Sequence, residues 1–135
     1  MVRYGKLFKF VHLFHALFIL INIITGIMML RGMDVVRFHI ISGIFIFIIP
    51  ITLILLTVKG KLLYFTFTRS VNNKIIRKGV KVTAVMLLSL VILSALTGVT
   101  LALGIKLFSV LHFILFIFIV TVLPFHILFA IKVFK

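Results

Sequence analysis

The chain contains no cysteine and no tryptophan. Without thiols it can form no disulfide, thiolate metal site, iron–sulfur cluster or C-x-x-C-H haem attachment. Acidic side chains are nearly as scarce: Asp34 stands alone against fifteen Lys and Arg. Asp34 precedes an apolar run, where it would cap a helix N-terminus. As the single carboxylate, it is also the one acidic candidate for accepting a proton at that end of the molecule. Only two prolines occur, Pro50 and Pro124, each inside an apolar run.

What remains is overwhelmingly apolar. The 135 residues are 64% hydrophobic with mean hydropathy +1.47, far above a soluble globular chain. The length suits one domain, 1–135. Four runs are long enough to span a bilayer, at about 10–30, 38–58, 82–104 and 107–131. The first begins with Arg3, Lys6 and Lys9 but is too long for a signal-peptide core, and no small-residue cleavage site follows it. The expectation is an all-α, integral membrane four-helix bundle.

The basic residues set its orientation. Twelve of the fifteen lie at the N-terminus, at the C-terminus (Lys132, Lys135) or in the connection 59–81. Arg31, Arg37 and Lys106 fall on the opposite side. The positive-inside rule then puts both termini and the long connection in the cytoplasm. A basic face against a membrane attracts anionic lipid headgroups, not nucleic acid. Within the connection, Leu62–Phe67 mixes aromatics with flanking lysines, as an interfacial segment or a short cytoplasmic extension of span two would, and Asn72-Asn73 mark a turn.

Ionisable side chains within spans are costly and usually functional. Five histidines lie there. His12 and His15 sit near the inner end of span one, and His126 near the inner end of span four. His39 and His112 sit near the outer ends of spans two and four. His112 and His126 are fourteen residues apart, close to four whole turns, so they share a helix face about 21 Å apart along the axis. One opposed pair is thus expected at each edge: His12 (or His15) with His126, and His39 with His112. Two histidines on one haem iron give a six-coordinate centre suited to electron transfer. Zinc or copper fits less well, since neither group includes a thiol or carboxylate. Gly26, Gly43 and Gly98 would leave room for a macrocycle or for close helix packing. Propionates would find cations at Arg31, Arg37 and Lys106 outside, and at Lys9, Lys59, Lys61 and Lys132 inside.

The halves also carry a weak internal repeat. Thr25-Gly26 precedes His39 and then Pro50, much as Thr97-Gly98 precedes His112 and then Pro124. That pattern expects two similar hairpins around a common centre.

These residues resemble the prokaryotic four-helix di-haem cytochromes b. That family includes stand-alone bacterial cytochromes b and the membrane subunits of formate dehydrogenase and nickel–iron hydrogenase. The resemblance covers all four spans. It rests on Lys9, His12 and Thr25-Gly26 in span one, on His39 with Gly43 in span two, and on His112 and His126 in span four. It implies two non-covalent haem b groups stacked across the cytoplasmic membrane, ligated by His12 with His126 and by His39 with His112. His15 stays open as the alternative to His12, although the spacing to Gly26 favours His12. The implied partners are quinone or quinol and a redox subunit such as a dehydrogenase, hydrogenase or reductase. The chain would then be an electron-transfer subunit and not a self-contained enzyme, with homodimerisation left open. Several positions depart from the family. Leu13 follows His12 where tryptophan is common, Phe113 follows His112 where glutamate is common, and Lys59 and Lys61 replace arginines. The reading from another class is a haem-free scaffold whose histidines bond between helices.

Overall fold

A backbone in hydrocarbon must satisfy its own hydrogen bonds, so long apolar runs of this kind become helices. The computed structural model describes residues 6–56 and 73–134, and among these it is all-helical, with no strand. In chain order the helices are α1 (Lys6–Leu30), α2 (Val36–Leu56), α3 (Lys74–Ala102) and α4 (Ser109–Phe134), with a 3-10 turn at Lys106–Phe108 leading into α4. Three segments, Phe10–Leu30, Lys74–Ala102 and Lys106–Lys132, are long and apolar enough to cross a membrane. The apolar part of α2 counted among the described residues, Val36–Ile49, is shorter. The expected span 38–58 runs beyond the described residues, as do Leu62–Phe67, Lys59 and Lys61.

The helices form two antiparallel hairpins, α1 with α2 and α3 with α4, which meet mainly along α2 and α3. Both hairpin turns open in the same way. The Gly32 N–H donates to Met29 O at 2.9 Å and the Met33 N–H to Met28 O at 3.1 Å. The Gly104 N–H donates to Leu101 O at 2.9 Å and the Ile105 N–H to Thr100 O at 3.0 Å. This is the Schellman arrangement, and it requires a left-handed residue. Glycine supplies it, at φ +79° for Gly32 and +83° for Gly104.

Two boundaries differ from the sequence expectation. Helix α3 starts at Lys74, eight residues before position 82, because the Asn73 side chain accepts from the Ile75 and Ile76 N–H groups at 3.0 and 3.2 Å. Lys74, Arg77, Lys78 and Lys81 therefore lie on the first turns of a helix and not in a connection. Helix α2 starts at Val36, so Val35 holds the cap position and the exposed Asp34 lies one residue farther out.

The exterior is greasy: Phe10, Leu128 and Leu107 are 64%, 60% and 81% exposed. Such a surface belongs in lipid. The interior is narrow. Ile46 of α2, Leu87 and Val91 of α3, and Ile119 and Val122 of α4 form its buried cluster, and Phe18 and Ile19 of α1 pack against it. This plug sits at mid-length and leaves polar side chains above and below it.

Candidate functional site

At the end of the bundle that carries the two hairpin turns, His39 of α2 meets His112 of α4. Their ring centroids are 6.2 Å apart and their planes are inclined at 85°. At the other end, His12 of α1 meets His126 of α4, also with centroids 6.2 Å apart, at 65°. The apolar plug lies between the pairs. Both pairs use α4, and each draws its second ring from the other hairpin.

The two rings at the turn end are seated alike. Thr25 Oγ1 lies 3.0 Å from His39 Nδ1, and Thr97 Oγ1 lies 2.9 Å from His112 Nδ1. The following glycine gives each ring room. A Cβ at Gly26 would stand 3.5 Å from His39 Cε1, and one at Gly98 would stand 3.3 Å from His112 Cε1. In each half the Thr-Gly pair therefore holds the Nδ1–Cε1 edge of a ring on its own hairpin. Gly43 instead faces the Asn22 amide, at 3.5 Å from Nδ2. Asn22 donates to His39 O at 2.8 Å and to Ser42 Oγ at 2.9 Å, which ties α1 to α2 beside this pair.

At the opposite end the ring of His126 is buried, and its Nδ1 lies 3.1 Å from Thr83 Oγ1. One turn earlier on α3, Gly79 admits the Phe129 ring so closely that a Cβ there would stand 2.8 Å from it. The sequence reading singled out neither Thr83 nor Gly79. The signal was nonetheless present: Thr83 and Thr97 are fourteen residues apart on α3, matching His126 and His112 on antiparallel α4.

His12 and His15 take different roles. The His15 Nε2–H donates to Ile46 O at 3.0 Å, within its own hairpin. Ile46 is four residues before Pro50, which has no N–H to complete the helical bond to that carbonyl. His15 therefore caps a carbonyl that the proline leaves open, and its Nε2 is committed. His12, three residues earlier, is the ring brought to His126.

The donor set can be tested against a metal. Among the described residues no group of three or more His, Cys, Asp or Glu converges. A zinc or copper cage made of side chains does not fit two lone imidazoles. A metal that brings its own equatorial donors does. Imidazole nitrogen bonds such metals at about 2 Å, so two rings on opposite faces of one ion have centroids roughly 6 Å apart. Both pairs have that separation. Of the cations expected near propionates, Arg31, Arg37 and Lys106 are exposed at the turn end and Lys132 at the other end. Lys9 lies early in α1, but its side chain is outside the described part.

Comparison with known proteins yields no match, whether to a family model, a curated protein or a solved structure.

Proposed function

We propose that the chain is a membrane di-haem cytochrome b that moves electrons between the two faces of a bilayer. One observation carries the reading: two cross-hairpin histidine pairs, each with ring centroids 6.2 Å apart, lie at opposite ends of a greasy helical bundle. His12 and His126 would ligate one haem b, and His39 and His112 the other. Bound there, the haems would supply one-electron iron couples at the two ends of the bundle.

The remaining tasks fall to the chain's own groups. Thr25, Thr83 and Thr97 orient the rings. The plug of Ile46, Leu87, Val91, Ile119 and Val122 keeps water out of the centre, so that no proton leak accompanies the electron. Arg31, Arg37 and Lys106 at one end, with Lys9 and Lys132 at the other, offer cations to propionates. By the positive-inside rule, the excess of basic residues in the sequence at both termini and between α2 and α3 would put both termini on the cytoplasmic side of the cell membrane. A quinone or quinol dissolved in the lipid is the natural partner for one end, and a redox subunit for the other. Similarity to the cytochrome b subunits of formate dehydrogenase and nickel–iron hydrogenase, argued above from residue spacing, supports the same assignment.

A reduced-minus-oxidised spectrum of the purified chain, with haem quantified, tests the proposal. The expected result is a b-type signal with two haems per chain. A colourless protein, when expressed with haem supplied, would overturn it and leave the histidines as interhelical bonders in a scaffold.

A further inference from the structure

We infer that Thr25, Thr83 and Thr97 are positioning residues. They hold His39, His126 and His112 as Nδ1–H tautomers, so that Nε2 of each ring is left as a bare lone pair. The functional meaning of this assignment rests on the haem reading above; the assignment itself rests on counting protons.

His112 is the firmest case. Its Nδ1 lies 2.9 Å from Thr97 Oγ1 and 3.1 Å from Ser94 O. A carbonyl can only accept. A bare Nδ1 lone pair would face that oxygen with no proton between them, so Nδ1 carries the hydrogen. The Thr97 hydroxyl has one proton, and it is directed to carbonyls of its own helix, Leu93 O at 3.1 Å and Ser94 O at 3.0 Å. Its oxygen is left to accept from Nδ1–H.

The other two threonines repeat this arrangement. Thr25 Oγ1 donates within α1, to Ile21 O at 2.9 Å or Asn22 O at 3.0 Å, and sits 3.0 Å from His39 Nδ1. Thr83 Oγ1 donates within α3, to Gly79 O at 2.8 Å or Val80 O at 3.3 Å, and sits 3.1 Å from His126 Nδ1. Each hydroxyl spends its proton on the preceding turn, as buried helical threonines do. Each oxygen then accepts the imidazole N–H. A neutral imidazole has one N–H, so Nε2 is bare in all three rings. That is the nitrogen a metal would take, with the other held by a hydrogen bond that fixes ring orientation. His15 is the internal contrast: its Nε2 faces a carbonyl and so carries the proton.

Nitrogen-15 NMR of the haem-free full chain, histidine-labelled in micelles at a pH where imidazole is neutral, tests this without loaded cofactor. The expected native spectrum has Nδ1–H at His39, His112 and His126, and Nε2–H at His15. Thr25→Val and Thr83→Val release His39 and His126 to mixed tautomers, and the serine variants restore Nδ1–H. Thr97→Val leaves His112 as Nδ1–H, because Ser94 O still accepts. In a parallel haem titration, Thr83→Val weakens uptake at the His12–His126 end about 10–100-fold, and Thr83→Ser recovers it. An Nε2–H resonance at any of the three histidines in the native chain overturns the inference. So do unchanged tautomers in both Thr25→Val and Thr83→Val. If a valine variant fails to fold, the native spectrum alone decides. A chain with the expected tautomers that binds no haem would overturn the proposed function and leave this assignment standing.

Discussion

If His15 caps the carbonyl that Pro50 leaves open, the two residues must be coupled energetically. The perturbation is His15→Leu, made both in the native chain and in Pro50→Ala. In the native chain, leucine removes the 3.0 Å donor to Ile46 O, and Ile46 is only 7% exposed. A buried carbonyl stripped of its partner costs about 1–3 kcal/mol. Alanine at position 50 restores the backbone N–H that a helix supplies to the carbonyl four residues earlier. In that background His15→Leu should cost about 0 to 0.5 kcal/mol, so the coupling energy is about 0.5–3 kcal/mol. The assay is unfolding in mixed micelles, followed by circular dichroism, for the four chains of the cycle. Haem content is measured alongside and should stay at two in every one, because His15 is not a ligand in the proposed assignment. Equal losses in the two backgrounds would refute the capping argument. Loss of one haem in His15→Leu would refute the division of labour between His15 and His12.

Three further outcomes follow from the same geometry. His112→Ala should lose the haem at the turn end and retain the other, halving the haem-to-protein ratio, because the pairs share only α4; loss of both would contradict their independence. Gly79→Ala should lower thermal stability and weaken the His126 end, since its Cβ would meet the Phe129 ring at 2.8 Å and overpacking costs about 1–3 kcal/mol, whereas Gly43→Ala, at 3.5 Å from Asn22 Nδ2, should be neutral in the same thermal scan. Because the native chain has no cysteine, single cysteines report topology cleanly: Met33→Cys should react with an impermeant thiol reagent from outside intact cells and Lys78→Cys only after lysis.

Much of the architecture was legible without coordinates because lipid imposes a simple rule. Apolar runs of about twenty residues become helices, and short loops make neighbours antiparallel. The Thr-Gly to His to Pro repeat in the two halves has a physical counterpart, since in both hairpins the threonine meets Nδ1 and the glycine lies against Cε1. What escaped the sequence reading depended on side chains that no local pattern distinguishes. Thr83 looks like any β-branched residue in a span until α4 sets His126 beside it. Gly79 falls within the basic stretch 59–81, which the charge pattern marks as a connection, and Asn73 there is both a turn residue and the cap that starts α3 early. The Schellman turns depend on the positive φ of Gly32 and Gly104, which no pattern in the sequence sets apart from the other glycines.

The sequence alone determined the helical class, the greasy exterior, the charge asymmetry and the positions of the five histidines along their helices. All of these follow from hydropathy, length and the 3.6-residue period, which are properties of the chain one segment at a time. It favoured His12 over His15 only through the spacing to Gly26, because both lie near the same end of α1. Tertiary structure decided that question through a distant cause: Pro50, on another helix, leaves one carbonyl open, and His15 is the ring within reach of it. Hydrogen bonds are short and directional, so which of two neighbouring imidazoles is left to face His126 depends on the packing of α1 against α2 and α4 to within about an ångström.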